Sequence, residues 1–379
     1  QWLGQLQHEL SDESFEGLCR EPAANPLDRS NFLPQGNQPA PSCDHRHLEA
    51  RRWLDKTLVP SSLALALPLS CSHAKGEVST AISSELLLRW LIAPQLIWLE
   101  QFQLKPREWL DPVEDLEVLE LNELQRHGLL RQRLAEFHDQ LANDEIGLLQ
   151  RTAIGDWNHR YAGQGTLPPG AAAILEAERL ENRWQHLQAI LLKIGPCFKR
   201  RLDLADGSRQ MLWAGETVVV VQPGQLKPRG VMEGWLSHLQ VCANDTAPAA
   251  TVVVARCGSA IKKDQFEIAL RWQPLSAEQA REHLDELGKL ASKGLSQCWP
   301  VPPASGWAMV NAKRKSAARA DQVFREHWNG GFQIQGERDH AEMQLCFGVN
   351  CDASDLLNSA GFDEACDSLY GPLFESSAI

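Results

Sequence analysis

The chain has 379 residues, a formal net charge of −12 at pH 7, 43% hydrophobic residues and 23% charged residues. This length and composition predict a globular protein of two or three domains with a sizeable core. No apolar run approaches the ~20 residues that a membrane-spanning helix needs, and we expect no signal peptide, so the expectation is a cytoplasmic protein without a membrane partner. The acidic balance argues against a protein that wraps duplex DNA with its whole surface.

Acidic and basic residues are unevenly distributed. Much of the acid lies in 111–123, whereas short basic groups occur at 199–201, 262–263 and 313–315. An acidic body with local basic patches suits DNA contact and equally suits docking on basic partners, and charge alone does not separate the two. The ten cysteines are scattered singly, without a CxxC pair, which predicts reduced and mostly buried thiols.

The sequence predicts three regions. Residues 1–19 have the pattern of the tail of a preceding domain, and because the chain opens at Gln1 in the middle of that pattern, we expect a fragment of a longer protein. Residues 20–77 are rich in Pro, Asn and Gln and predict a linker with one short helix over 45–57. The last domain is predicted over 78–379.

Helices open this last domain. Ser84 to Phe102 is a strongly apolar pair of helices broken at Pro94. Residues 122–142 carry apolar side chains at three- and four-residue steps, which predicts an amphipathic helix, and Gly170 opens a long helix over 171–192. The predicted buried face of the amphipathic helix consists of Leu124, His127, Leu130, Leu134, Phe137 and Leu141.

The stretch 201–243 predicts a strand, a turn, a second strand, a proline loop and a helix. Asp206-Gly207 is a tight-turn pair between apolar alternations. Residues 217–221 form a continuous β-branched run, typical of a strand buried on both faces. Pro223-Gly224 is predicted to end that strand. The helix that follows has apolar positions at helical spacing, at Val231, Trp235, His238 and Leu239.

Three elements and a loop follow that helix. They are two strands, a helix and a proline-rich loop, at 251–254, 266–270, 276–295 and 299–307. The helix begins with a capping box formed by Ser276 and Gln279. Together these elements predict an α/β domain with a central mixed sheet flanked by helices.

A hairpin, a central strand and a helix in this order are typical of metal-dependent nucleases of the PD-(D/E)xK type. Their chemistry needs a carboxylate at the end of one strand, and an acid and a lysine one residue apart on the next, which bind Mg²⁺ and orient the attacking water. Here the central strand ends Val221-Gln222-Pro223, and no acid or lysine stands at the needed spacing. The sequence therefore predicts a degenerate nuclease site without catalysis, formed by Glu216, Val221, Gln222 and Pro223.

Several motifs occur in a recognisable order. Trp235 to Leu239 reads Trp-Leu-x-His-Leu, and Leu87-Leu88-Arg89-Trp90 is followed by Pro94. Weaker motifs are the turn 163–170, the proline-rich stretch near Trp307, the segment after Gly336, the ending 369–374 and the segment 25–32. In this order the motifs resemble the C-terminal domain of the RecC family, the gamma subunits of exodeoxyribonuclease V. Gln222-Pro223 stands where that family usually has Arg-Pro.

The resemblance implies a fold and a set of partners. It implies a nuclease-like C-terminal domain without an active site of its own, preceded by a linker and by the tail of a helicase-like domain. The complexes of this family unwind and degrade duplex DNA ends in repair and recombination, and RecB-type and RecD-type partners supply the motors and the nuclease with ATP and Mg²⁺. This chain would contribute strand splitting, guidance of double-stranded and forked DNA, and docking surface. No cofactor is expected in the chain itself, which contains no GxxxxGK phosphate-loop motif.

Two alternatives remain open. The first is an active Mg²⁺-dependent exonuclease domain with Asp203, Asp206 and Glu216 as acids and Lys227 as the lysine. A role in the tight turn explains Asp206 better than a role as a metal ligand does. Lys227 lies six residues beyond Val221, which is not the spacing that the nuclease pair needs. The second alternative is a pure docking module without DNA contact.

Other metal sites are weaker hypotheses, and none is predicted. An iron–sulfur cluster requires a tight cysteine trio, whereas Cys346, Cys351 and Cys366 are widely spaced. The zinc candidates Cys43, His45, His47, Cys71 and His73 stand at alternate positions in a predicted linker, whereas paired ligands of compact zinc sites are separated by about two to four residues.

Three basic groups are candidates for DNA contact, because phosphate contacts need only lysine or arginine within reach. Lys262-Lys263 is the most suggestive, since it lies in a loop between two predicted strands and the resemblance implies a pin hairpin in this domain where the duplex divides. A solvated charged face is the competing interpretation for all three groups. For Trp235 and His238, core packing is favoured over base stacking. The candidates are Lys199, Arg200, Arg201, Lys262, Lys263, Lys313, Arg314 and Lys315.

Overall fold

The computed structural model describes residues 23–34, 40–42, 44–55, 82–106, 120–142, 157, 161, 165–244, 249–258, 264–331 and 334–376. The chain divides into two units, Gln1–Leu63 and Ala64–Ile379. In the first unit the described elements are a 3₁₀ turn, Arg29–Phe32, and helix α1, His45–Asp55. The short helix predicted over 45–57 is therefore confirmed as far as Asp55. The predicted domain boundary near residue 78 lies outside the described residues.

Four helices precede the sheet of the second unit. They are α2, Ser84–Ile92; α3, Pro94–Glu100; α4, Glu123–Ala142; and α5, Ala171–Ile194. Pro94 occupies the first turn of α3, where the N–H that proline lacks would have had no partner inside the helix. The predicted break at Pro94 and the three predicted helical stretches are confirmed.

A five-stranded mixed sheet forms the centre of the second unit. Its strands are β1, Cys197–Leu204; β2, Gly207–Ala214; β3, Thr217–Gln225; β4, Thr251–Arg256; and β5, Phe266–Trp272. They lie in sequence order across the sheet. All neighbours are antiparallel except β3 and β4, which are parallel and are joined by helix α6, Pro228–Asn244. The predicted hairpin, central strand, helix and two later strands are all present.

The central strands are buried on both faces. Val219 and Val252 belong to the core that α4 and α5 share with the sheet. Val220 and Val253 belong to the core on the opposite face, with α6 and the helices that follow the sheet. Because successive strand residues point to opposite faces, the β-branched run fills both cores, as its composition predicted.

The prediction that Pro223-Gly224 ends the central strand is wrong. β3 continues to Gln225, with an irregular register to β4 between Gln222 and Gln225. A proline inside a strand costs a ladder hydrogen bond only where a neighbouring strand would accept its N–H. On the β2 side, β3 pairs only at Trp213↔Val218 and Ala214↔Thr217, so no neighbour stands opposite Pro223.

Helices complete the unit after the sheet. They are α7, Ala277–Ser296; α8, Pro303–Lys315; α9, Ala320–Asn329; α10, Ala341–Phe347; α11, Ala353–Leu357; and α12, Phe362–Glu375. The capping box of Ser276 and Gln279 at the start of α7 is confirmed. The loop predicted over 299–307 is too long, because α8 already begins at Pro303, with proline in its first turn.

The start of α8 is capped by a carboxylate from a distant segment. The first N–H groups of a helix have no partner inside it. The buried Glu337 carboxylate accepts hydrogen bonds from the N–H groups of Ala304 (2.8 Å) and Ser305 (2.7 Å), and from the Ser305 hydroxyl (2.6 Å). Burial raises the Glu337 pKa, and these hydrogen bonds oppose the rise. Glu337 thus ties the chain after α9 to the start of α8.

One predicted core position is wrong. Leu124 is 78% exposed, whereas Leu130 (1%), Leu134 (7%) and Phe137 (7%) are buried. α4 begins only at Glu123, so Leu124 lies in its first turn, outside the stripe that faces the sheet. The side chain of Leu141 lies outside the described residues.

The cysteines in the described part of the chain are free thiols, five of them buried and two half-buried. This confirms the prediction of reduced, mostly buried thiols for those residues. No helix among the described residues is long and apolar enough to cross a membrane.

Candidate nucleic-acid interface

The end of β3 is the place where the predicted nuclease-like fold would need an acid and a lysine for catalysis. Gln222 is buried there (8% exposed), and its side-chain amide donates a hydrogen bond to the Glu233 carboxylate on α6 (3.2 Å). A Cβ at Gly230 would lie 2.5 Å from the Gln222 side chain, so the absence of a side chain at Gly230 creates the slot that Gln222 fills. The strand end therefore presents an amide held against a helix.

The acids considered for a live nuclease lie apart from this point. Asp206, in the β1–β2 turn, accepts hydrogen bonds from the Ser84 backbone N–H and from the Ser84 hydroxyl (3.0 Å for the latter), which lowers the Asp206 pKa. It therefore anchors the start of α2. Asp203 pairs with Arg201 (3.0 Å) on the exposed side of β1.

Asp203 and Glu216 do not form a metal-binding pair. Asp203 lies beside the first residues of β2, opposite Ser208, whereas Glu216 lies in the turn after Ala214, at the other end of β2. Eight strand residues separate the two ends by roughly 24 Å. Among the described residues, no group of three His, Cys, Asp or Glu side chains is placed to hold a metal ion.

Other carboxylates near the sheet are neutralised by arginines. Glu176 and Arg126 form a bidentate pair (2.7 and 2.8 Å), and both side chains are 6% exposed. Glu123 lies within 3.0 Å of Arg183 and of Arg256. Burial raises the Glu123 pKa, but the arginines outweigh burial and lower it to about 2. Arg256 ends β4 opposite Gln225, so this network stands beside the end of β3.

A cleft opens between β2 and β3. After their two paired positions the strands separate, and the space between them has a volume of about 380 Å³. The Val218 N–H bonds to Ala250 on the β4 side (2.9 Å). By strand alternation, the N–H and C=O groups of Val219 and Val221 therefore face the cleft.

The walls of this cleft are basic. Arg131 comes from α4, Arg209 from β2 and Arg229 from the first turn of α6, and they face a single acid, Glu233. Arg209 lies 3.6 Å from Glu233. Arg131 and Arg229 are exposed and have no ion-pair partner among the described residues. Three arginines against one glutamate leave a charge of +2 in a chain whose formal net charge is −12.

His127 lies in the positive electrostatic potential of the same region. It packs on β3, where a Cβ at Gly224 would lie 2.4 Å from its ring, and its Nε2 atom is buried without a hydrogen-bond partner in the described part of the chain. The His127 pKa is lowered to about 4, mainly by burial and in addition by the charges of Arg131, Lys227 and Arg256. The region around the end of β3 therefore disfavours additional positive charge and favours an anion.

Two of the predicted basic groups can be located. Lys199, Arg200 and Arg201 lie on the edge strand β1, and the Arg200 guanidinium stands 5.2 Å from the centre of the Trp213 ring. At the end of α8, Lys313 pairs with Asp367 (2.9 Å). Arg314 lies 4.9 Å from the Phe374 ring, and Lys315 is exposed. Lys313 and Arg314 thus join α8 to α12, and Lys262-Lys263 lie outside the described residues.

Trp235 and His238 are core residues, as predicted. They are 1% and 0% exposed, and the His238 Nδ1 atom lies 3.0 Å from the Thr251 hydroxyl. Burial lowers the His238 pKa to about 4. Neither ring is accessible to a base.

The histidine and cysteine candidates for metal ligands are also accounted for where they are described. His45 and His47 lie near Glu49 (3.8 Å) and Asp44 (3.4 Å). Cys346 and Cys366 are buried in the hydrophobic core. The other zinc candidates, Cys43, Cys71 and His73, lie outside the described residues.

Sequence reasoning missed the cleft residues Arg131, Arg209, Arg229 and Glu233. They come from three elements and do not form a run of basic residues in the sequence. The only local signal is Arg229, a cation in the first turn of a helix without an acid there, where the helix dipole opposes positive charge.

The fold and the cleft define an α/β domain with a mixed five-stranded sheet between two layers of helices and a basic opening at the end of its central strand. A search of curated proteins found no match to the chain. The family model of the RecC C-terminal domain matches residues 79–314. The chain belongs to the RecC family, and this membership associates it with exodeoxyribonuclease V and with DNA repair.

Proposed function

We propose that the chain is the non-catalytic, nuclease-like part of a gamma subunit of exodeoxyribonuclease V. In this proposal it splits and guides the strands of double-stranded and forked DNA and docks RecB-type and RecD-type partners. The observation that carries the proposal is the end of β3, where buried Gln222 bonds to Glu233 in place of an acid and a lysine. A Mg²⁺-dependent nuclease needs carboxylates on the ion.

The surrounding charges support the same proposal. Carboxylates that lie near the end of β3, such as Glu123 and Glu176, are bonded to arginines, and the cleft beside Gln222 is lined by cations. A bound metal ion repels neighbouring cations, whereas a DNA phosphate attracts them. In this proposal the chain holds no metal or nucleotide of its own, and the Mg²⁺ and ATP of the complex belong to the partner subunits.

Hydrolysis by the chain alone tests the non-catalytic part of this proposal. The full 379-residue chain is incubated with labelled single-stranded and double-stranded DNA in Mg²⁺ and, separately, in Mn²⁺. We expect cleavage no faster than in buffer. Metal-dependent cleavage that persists through successive purification steps would establish the active-nuclease alternative.

Binding of forked DNA tests the DNA-contact part. We expect the full chain to bind a forked oligonucleotide duplex with an affinity that falls steeply as salt rises, because phosphate contacts release counterions. Absence of binding at low salt would leave only the alternative of a docking module without DNA contact. For the pin proposal at Lys262-Lys263, charge reversal at both residues should slow strand separation by the assembled complex, and an unchanged rate would reject the pin assignment.

A further inference from the structure

The cleft between β2 and β3 has features that neither packing nor the ion network explains. It is open, it lies where the two strands separate, and it combines unpaired strand backbone with three guanidinium groups. We infer that this cleft binds the phosphodiester backbone of a DNA single strand, with Arg131, Arg209 and Arg229 as the phosphate ligands. The inference deepens the proposed function and rests on it only in that both require DNA to reach this domain.

The three arginines suit phosphate for a chemical reason. A guanidinium presents a planar fork of N–H donors that bonds two oxygens of one phosphate at once. Arg131 and Arg229 are exposed, and Arg229 stands where the α6 dipole opposes a cation, so helix stability does not account for its position. An anion bound at Arg229 offsets this repulsion.

Glu233 positions the third arginine. One of its oxygens lies 3.6 Å from the Arg209 guanidinium, and the other accepts the hydrogen bond from Gln222. The carboxylate therefore holds Arg209 against the cleft wall without neutralising the cleft, which keeps a charge of +2. In this arrangement Gln222 is a positioning residue that acts through Glu233.

The size and the walls of the cleft favour a single strand. A volume of about 380 Å³ is that of a small-ligand pocket, which admits one segment of a sugar–phosphate backbone but not a double helix. Val221 is half-buried, and its N–H and C=O groups, which face the cleft, can bond the exposed edge of an unpaired base. Among the described residues, no aromatic side chain lines the cleft, so binding should depend on phosphate contacts and be independent of sequence.

An acidic peptide is the competing ligand, and the geometry disfavours it. Addition of a peptide strand needs a continuous edge of backbone donors and acceptors. Here the free edge of β3 is short, because Pro223, two residues after Val221 and on the same edge, has no N–H.

The test measures binding of a fluorescent oligothymidylate to the full chain by anisotropy over a range of salt concentrations. The cleft variant is R131E/R229E. The matched control is K289E/R325E, which makes the same change of charge at two exposed residues outside the cleft. All four positions are exposed, so both variants should fold, as thermal melting and circular dichroism will verify.

We expect the cleft variant to bind at least about tenfold more weakly than the wild type. Its plot of log affinity against log salt should be shallower by about 1.4, since each single-strand phosphate contact contributes about 0.7. The control should bind within about threefold of the wild type, because it removes no phosphate contact.

The outcomes separate this inference from the proposed function. If the wild type binds the oligonucleotide and the cleft variant binds equally well, or if the control loses as much affinity, the cleft assignment is rejected and the proposed function stands. If the wild type binds neither forked nor single-stranded DNA, both fail. A polyglutamate peptide that binds the chain at lower concentration than the oligonucleotide would overturn the choice of ligand.

Discussion

Replacement of Arg126 by methionine should cost much of the stability of the second unit. Arg126 is a buried residue of α4 and bonds Glu176 at 2.7 and 2.8 Å, Glu123 at 2.9 Å and Glu120 at 3.1 Å. Removing one partner of a buried ion pair leaves an uncompensated charge and typically costs 3–5 kcal/mol. Arg179 still lies 3.2 Å from Glu176, so we expect the lower end, a loss of about 3 kcal/mol in the free energy of unfolding.

Two further variants isolate the cause. Replacing both partners, in R126M/E176L, removes the stranded charge, and because apolar pairs often substitute well for buried ion pairs we expect about 2 kcal/mol of the loss to return. Arg179→Met is the matched control. It removes an arginine bonded to the same Glu176 but one-third exposed, and such pairs contribute at most about 1 kcal/mol.

Urea unfolding of the full chain, followed by tryptophan fluorescence, measures all four free energies. Equal losses in R126M and R179M would contradict the reasoning, as would a double variant no more stable than R126M. Either result would mean that the buried arginine is not what compensates the charge of the carboxylates at this end of the sheet.

Three other predictions concern pH, packing and a turn. The His238 pKa is about 4 in the folded chain and about 6.5 when unfolded, so the folded state binds fewer protons. The free energy of unfolding should therefore be at its full value above pH 6.5 and fall by up to about 3 kcal/mol as the pH drops to 4. Thermal melting at a series of pH values should show a shallower fall for the H238Q variant. Gly224→Ala, whose Cβ would lie 2.4 Å from His127, should lower the free energy of unfolding by about 1–3 kcal/mol. Gly128→Ala on α4, with open space around it, should raise it by about 0.5–1 kcal/mol. Thermal melting compares the two variants, and equal effects would refute the close contact. Asp206→Ala should lower the free energy of unfolding by about 1 kcal/mol through loss of the bonds to Ser84, and Asp203→Ala, which removes an exposed pair, should change it by less than about 0.5 kcal/mol.

Local patterns were sufficient to predict most of the secondary structure. The Asp206-Gly207 turn, the break at Pro94 and the capping box at Ser276 depend on residues adjacent in the chain, and all three are present. The valine run predicted a strand buried on both faces because alternation alone distributes its side chains between two cores. Those features follow from nearest-neighbour chemistry.

The site depended on tertiary placement, and the sequence predicted only part of it. The absence of an acid–x–lysine pair after Val221 can be read directly, but the bond from Gln222 to Glu233 needs α6 to lie across the strand end. The continuation of β3 through Pro223 follows from the separation of β2 and β3, which no local pattern encodes. The same separation brings Arg131 and Arg209 to one cleft from distant parts of the sequence.

We propose that the end of β3 keeps the shape of a nuclease site without its metal chemistry. Anomalous diffraction from crystals of the chain soaked in Mn²⁺ tests it most directly. We predict no bound ion at Gln222 and Glu233, because one carboxylate flanked by arginines is a poor site for a hard cation. An ion coordinated there, or held by Asp203 or Glu216, would contradict the claim.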